Sequence, residues 1–206
     1  MTKVFLASRN AKKLAEMERI LAEHLPGIEV LGLDDVPAYD EPVEDRPTFE
    51  GNALLKARAA VLATGLPSLA DDSGLCVDAL NGMPGVLSAR WSGPPKSDQR
   101  NNELLLAQLE DVPDELRAAH FTCAVAFAYP VGAGGVAEHV VHGEMPGRVI
   151  REVRGTGGFG YDVLFCADGH DVTTAELPRE EKDAISHRGK ALALIAPVVA
   201  DVLSGL

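Results

Sequence analysis

Four short segments of this chain carry side chains whose types and spacing suit chemistry. The first is Ser8-Arg9-Asn10-Ala11-Lys12-Lys13, set between an apolar run and a helical pattern. A helix N-terminus offers backbone N–H groups without intrahelical partners and the positive end of a dipole, both suited to phosphate. Ser8 and Asn10 add polar side chains, and Lys13 adds a cation one turn in. The run lacks the glycines of a Walker A loop, and it also reads as an ordinary capped helix with a solvated lysine. The second segment is Asp71-Asp72-Ser73-Gly74, at the end of an apolar strand. Neighbouring strand residues project to opposite faces, so adjacent carboxylates can serve a metal and the framework separately. Hard carboxylate oxygens favour Mg²⁺, which keeps several waters and bridges to phosphates. The competing reading is an Asp-rich turn in which Asp and Ser bond their own backbone. Asp-Ser-Gly also imitates the aspartic proteases, but their proton-sharing pair needs two copies and this helix-rich chain has one.

The third segment, Gly155-Thr156-Gly157-Gly158-Phe159-Gly160-Tyr161-Asp162, permits close backbone approach, and Phe159 or Tyr161 offers a face on which a base can stack. Hairpins need glycine too, so the loop alone decides little. The fourth is Lys182 followed by Ser186-His187-Arg188-Gly189-Lys190 before the last helix. Basic residues at a helix start oppose its dipole, which makes a purely structural cap less comfortable there. His139 and His142 face opposite sides of a strand and read as surface histidines. Glu41, Glu44, Asp45 and Glu50 flank a loop-to-helix junction; most read as a solvated face, with one able to reach a metal near Asp72.

The elements that must position these groups follow from periodicity. Residues 4–7 form a short apolar strand, and Leu14, Met17, Leu21 and Leu25 recur at helical spacing up to Pro26-Gly27. A second strand covers 28–33, and a Pro- and acid-rich loop runs to residue 47. Thr48 opens a helix that Gly65 stops, and Ser97 caps another running to about Leu109. Alternation over 121–129 and 136–144 predicts paired strands joined at Gly132-Ala133-Gly134-Gly135. A short strand at 163–165 and a C-terminal helix from Ser186, kinked at Pro197, complete the chain. Strands alternating with helices early and a hairpin-like middle predict an α/β fold with a mixed, elongated sheet flanked by helices. With no internal repeat and no long linker, residues 1–206 are expected to form a single domain of two lobes.

Composition bounds the function. Lys and Arg number 19 against 31 Asp and Glu, a formal charge of −12, which argues against a broad nucleic-acid surface. A local donor cluster can still hold a small anion. The 3 cysteines, Cys76, Cys123 and Cys166, are widely spaced and sit in apolar stretches, the pattern of buried thiols rather than disulfides or zinc ligands. The opening apolar run is too short for a signal peptide and no stretch is long enough to span a membrane, so a cytoplasmic protein is expected.

Six stretches, in order, resemble the inosine triphosphate pyrophosphatase family of non-standard purine nucleotide hydrolases. They are Ser8 through Lys13, Thr48-Phe49-Glu50-Gly51-Asn52-Ala53, Ala70-Asp71-Asp72-Ser73-Gly74-Leu75, Pro84-Gly85-Val86-Leu87-Ser88-Ala89-Arg90, the Gly155 to Asp162 loop, and Ser186-His187-Arg188-Gly189. The chain departs from the family at Gly51, where the family has a glutamate before Asn52, and at Val163, where a proline is usual. The resemblance implies two lobes with a substrate cleft, a homodimer, and Mg²⁺-assisted hydrolysis of dITP, ITP and XTP to monophosphate and pyrophosphate. It implies that Ser8, Arg9, Asn10, Ala11, Lys12 and Lys13 hold the triphosphate, with Lys13 neutralising the leaving pyrophosphate. It implies that Asp72 holds the metal, with Glu44 as partner, and deprotonates water, while Ser73 touches substrate. Phe159, Gly160, Tyr161, Asp162, Lys182, His187 and Arg188 are implied around the base. A donor there, such as Arg188, is satisfied by a 6-oxo group and left unpaired by a 6-amino group, a difference of about 1–3 kcal/mol per contact. The alternatives are a pyrimidine triphosphate pyrophosphatase of related fold and a nucleotide-binding regulator without catalysis.

Overall fold

The computed structural model describes residues 3–132 and 134–205; Ala133, within the expected turn, lies outside them, as do Met1, Thr2 and Leu206. The elements in order are β1 (Lys3–Leu6), α1 (Ala11–His24), β2 (Glu29–Leu31), α2 (Phe49–Thr64), β3 (Ser68–Val77), β4 (Met83–Pro84), α3 (Asp98–Gln108), β5 (Ala118–Val131), β6 (Gly135–Val149), β7 (Phe165–Ala167), α4 (Arg179–Ile185) and α5 (His187–Gly205). The strands lie in the order β2-β1-β3-β5-β6-β7, with β4 paired to β3. β1 runs parallel to both β2 and β3, whereas the β3–β4 and β6–β7 pairs are antiparallel. The sheet is therefore mixed, as the alternation of helices and hairpins predicts.

The chain divides into two compact units. The first is Met1–Asp72, Cys123–Gly143 and Arg188–Leu206; the second is Ser73–Thr122 and Glu144–His187. In the first unit, strand alternation sorts side chains onto two faces. Leu69, Cys123, Val125 and Phe127 pack with Met17 and Leu21 of α1 and with Leu192 and Ile195 of α5. Ala70, Ala124, Ala126 and Ala128 face Ala53, Ala57 and Ala60 of α2. Small residues on both sides bring α2 close to the sheet, and that closeness lets short polar side chains on α2 reach β3. The second unit has its own core, in which Leu75, Leu105, Phe121, Tyr161, Leu164 and Phe165 pack together.

Caps follow the sequence closely. Asn10, Thr48 and Ser97 each accept backbone N–H groups at the starts of α1, α2 and α3, and Gly65 ends α2 at φ +70°. Several expectations are corrected. Asp71-Asp72-Ser73-Gly74 neither ends a strand nor turns; β3 continues through it, because each carboxylate finds partners on its own face. The second strand is shorter than expected and gives way to a 3-10 turn at Leu33–Asp35. Asp162–Leu164 is likewise a 3-10 turn, and the strand follows it. α4 has no apolar period and was not legible; α5 contains Pro197, as the sequence places it. The three cysteines are free thiols. Among the described residues no helix is long and apolar enough to cross a membrane.

Candidate active site

The two neighbouring aspartates of β3 occupy opposite chemical environments within the first unit. Asp71 shares the face covered by α1 and α5. Its Oδ2 accepts from Lys13 Nζ at 3.0 Å and from Arg188 Nε at 3.3 Å. Arg188 Nη1 also donates to Glu16 Oε2 at 2.7 Å, so two cations and two carboxylates interlock, all of them buried except the half-buried Lys13. Burial alone would raise the Asp71 carboxyl, but the Lys13, Arg188 and Lys56 charges beside it hold it well below the usual carboxylate range. Asp71 is therefore fixed as an anion. Burial likewise opposes the Arg188 charge, and Asp71 and Glu16 more than restore it. Cys123, beneath the same cluster, is pushed up to about 12 by burial and by the Asp71 charge, and stays a thiol.

Asp72 faces α2. Its Oδ2 accepts from Asn52 Nδ2 at 2.9 Å. Lys56, one helical turn beyond Asn52, donates from Nζ to Glu44 Oε1 and to the Asp71 carbonyl, both at 2.6 Å. Here burial dominates and raises the Asp72 carboxyl above its ordinary value; Lys56 and the Asn52 bond pull it down, and Glu44 pushes it up again. Lys56 loses some basicity to burial but regains more from Asp71, Glu44 and Asp72, so it stays protonated. Adjacent positions on one strand thus hold a carboxylate locked as an anion and a carboxylate made more basic.

The turn before α1 is arranged less openly than its sequence suggests. Asn10 Oδ1 already accepts the Lys12 and Lys13 N–H groups, at 3.1 and 3.2 Å, and Ser8 Oγ accepts from Asn10 N at 3.3 Å. Arg9 is ion-paired with Glu41. An anion at this turn meets the side chains of Ser8, Asn10 and Lys12, or displaces the Asn10 cap. Ser73 is half-buried in β3. Glu50 lies at the start of α2 and pairs with His142 at 3.7 Å on an exposed face, whereas Glu44 faces Lys56 and Asp72. Of the four acidic residues the sequence placed at this junction, Glu44 is the one whose charge acts on Asp72.

The second unit gathers the glycine loop and Lys182. Asp162, almost fully buried, accepts from Phe159 N at 2.8 Å, Thr174 Oγ1 at 2.9 Å and Lys182 Nζ at 2.6 Å. Lys182 Nζ also stands 5.5 Å from the centroid of the half-buried Phe159 ring. Gly158 is required beside this knot, since a Cβ there would collide with the Asp162 carboxylate and its φ is +67°. Tyr161 belongs to the core, its hydroxyl donating to the Ser88 carbonyl at 3.0 Å, so Phe159 is the aromatic face and Tyr161 is not. His187 is buried and stacks on Phe121 at 4.9 Å and 11°. Arg188, expected as a donor to a 6-oxo group, instead gives its guanidinium to Asp71 and Glu16.

Sequence reasoning did not single out Glu16, Asn52 or Lys56 as site residues. The usable signals were polar residues one turn apart on faces otherwise apolar, Lys13 with Glu16 on α1 and Asn52 with Lys56 among the alanines of α2.

Fold and site together define a mixed α/β protein whose central strand pairs an ion-locked carboxylate with one that burial makes more basic. Residues 4–198 match the Ham1 family, and the chain belongs to that family. It is 59% identical over 201 residues to the dITP/XTP pyrophosphatase of Nocardia farcinica, covering 97% of this chain and 96% of that protein. Among solved structures, the nucleoside-triphosphatase (dITP/XTP pyrophosphatase) of Mycobacterium abscessus is 54% identical with a TM-score of 0.76, covering 95% of this chain and 99% of that one. A HAM1 protein from Coxiella burnetii, 41% identical, superimposes with a TM-score of 0.84 over 98% of this chain and 100% of its own. The resemblance carried by the six motifs is thereby borne out.

Proposed function

We propose that this chain hydrolyses non-standard purine nucleoside triphosphates, dITP, ITP and XTP, to the monophosphate and pyrophosphate, by attack of water at the α phosphorus. The names of its relatives supply the substrate class, and one observation carries the chemistry: Asp72 is a buried carboxylate of raised basicity, held by Asn52 and flanked by Lys56 and Glu44. A carboxylate raised by burial accepts a proton more readily than an exposed one.

Asp72 and Glu44 lie close enough for Glu44 to raise the Asp72 carboxyl, and such paired hard oxygens fit a divalent cation. They would hold Mg²⁺, which when bound there would lower the pKa of water and polarise the phosphate. The protein's own residues divide the remaining work. Asn52 fixes the Asp72 carboxylate, which accepts the proton of the attacking water as the bond from the α phosphorus to the bridging oxygen breaks. Lys13, tied to Asp71, is a prepositioned positive charge for the departing pyrophosphate, and Ser8, Arg9, Asn10, Ala11 and Lys12 form the phosphate-facing turn. Ser73 adjoins the reacting groups along β3. Phe159, Gly160, Tyr161 and Asp162 with Lys182 and His187 form the base side, Phe159 offering the stacking face and Lys182 a donor for the 6-oxo group. Arg188 contributes through Asp71, at the start of α5. The enzyme works as a cytoplasmic homodimer.

Pyrophosphate release from dITP, XTP, dGTP, dATP and dTTP, with and without Mg²⁺, tests the reading. Mg²⁺-dependent preference for dITP and XTP is expected. Preference for dTTP overturns the base assignment, and tight binding without release overturns catalysis.

A further inference from the structure

The glycine loop of the second unit is gripped from one face of α3. The Gly160 N–H donates to Asp98 Oδ2 at 2.8 Å, and the Gly160 carbonyl accepts from Asn102 Nδ2 at 3.0 Å. Asp98 and Asn102 are one helical turn apart and so share a face. Gly160 holds φ +62° with nothing within 4 Å of a Cβ position, so glycine is needed there for its backbone conformation, not for space. The following residue is held as well: the Ser88 carbonyl that receives the Tyr161 hydroxyl also accepts from Asn101 Nδ2 at 3.3 Å. α3 is itself anchored, capped by Ser97 and tied by Arg100 to the Gly93 carbonyl at 2.8 Å.

Asn102 gives the strongest indication that this grip serves more than stability. The residue is 6% exposed, and its Oδ1 has no hydrogen-bond partner among the described residues. The reversed amide would set Oδ1 against the Gly160 carbonyl, so the orientation is fixed. A buried acceptor without a donor opposes folding, and an apolar side chain of similar size would avoid that penalty. The amide is retained where its donor half holds one carbonyl of the loop.

The geometry points to Asp98 and Asn102 as positioning residues for nucleobase selection, acting by fixing both peptide groups of Gly160 and so the place of Phe159 against Lys182. The inference rests on the assignment of this loop to the base. If the clamp is lost, Phe159 and Lys182 lose their mutual placement and the base is held less well. The proton transfer belongs to Asp72 in the other unit, so turnover at saturation is retained.

The test is steady-state hydrolysis of dITP and dATP by the full-length protein. Asn102→Asp, which sets a carboxylate against the Gly160 carbonyl, and Asp98→Ala should each raise KM for dITP about tenfold and leave kcat within about twofold. Asp98→Asn still presents an oxygen to Gly160 N–H and should return KM close to that of the unaltered protein. Phe159→Ala, run alongside, tests the base assignment: an unchanged KM for dITP would refute that assignment and the inference with it. A raised KM in Phe159→Ala with unchanged KM in the clamp variants overturns the inference alone. A loss of kcat at constant KM would mark a purely structural role and overturn it too. Should Asp98→Ala fail to fold, Asn102→Asp keeps the side-chain volume and carries the test.

Discussion

Asp71 and Asp72 differ by one position and by the company each keeps. Asp71 meets Lys13 and Arg188; Asp72 meets an amide, a shared ammonium and a second carboxylate. Substitution to asparagine should therefore separate them. Asp72→Asn is expected to abolish pyrophosphate release while leaving the melting temperature unchanged or raised, since it removes a buried charge that burial disfavours. Asp71→Asn is expected to cost about 3–5 kcal/mol in a urea titration, because it leaves Lys13 and Arg188 without their shared anion. The Asp71 contribution has a defined pH dependence. Its folded pKa lies below the unfolded one, so the stabilisation is complete above the ordinary carboxylate range and is lost as pH falls through the folded value. The stability gap between the unaltered protein and Asp71→Asn should stay level from about pH 8 to about pH 5 and narrow in stronger acid.

At the scale of elements, the decisive contact is α2 against the sheet. Ala53, Ala57 and Ala60 meet Ala70, Ala124, Ala126 and Ala128, and this close approach brings Asn52 and Lys56 within reach of β3. Ala57→Leu should cost about 1–3 kcal/mol by overpacking and should lower kcat as well, by lifting Asn52 from Asp72. Thermal melting with pyrophosphate release on the same preparation checks both parts. α1 has a different weakness: Asn10→Ala removes an acceptor shared by two N–H groups and should cost about 1 kcal/mol. The same change strips a cap from the turn proposed to hold phosphate, so KM for the triphosphate is expected to move as well, in a direction that reports whether the cap competes with phosphate or helps to bind it.

In the whole molecule, the proposed roles fall on different units, each considered by itself. The first holds the carboxylate and cation cluster of β3, α1, α2 and α5, and the second holds the glycine loop with Lys182. Truncating substrate should expose this division. Inorganic tripolyphosphate, which lacks the base and sugar, is expected to be a poor substrate for the unaltered protein and an equally poor one for Phe159→Ala, whereas dITP hydrolysis falls only in the variant. Chelation by EDTA should stop release from dITP and added Mg²⁺ should restore it, with circular dichroism unchanged throughout, because the ion pairs that hold β3 in place use Lys13, Lys56 and Arg188 rather than a metal.

What is local and periodic can be read from the residues directly. Caps at Thr48 and Ser97 and the stop at Gly65 follow from short-range hydrogen bonding and from left-handed φ; at the first helix the residue types allow Ser8 or Asn10, and the structure uses Asn10. The mixed α/β class follows from the change of period along the chain, and family membership follows from six motifs in order, confirmed over residues 4–198. Tertiary structure decided the partners. Nothing local makes Asp71-Asp72-Ser73-Gly74 a strand interior; its polar groups remain in β3 because Lys13 and Arg188 come from one side and Asn52 from the other. Arg188 has the composition of a ligand donor, and only the packing of α5 against α1 and β3 commits it to Glu16 and Asp71. Tyr161 and Phe159 are equivalent aromatics in sequence, yet one enters the core and the other stands beside Lys182. Coulomb and burial terms depend on distances between residues far apart in the chain, so spacing along it can nominate charged groups but cannot pair them.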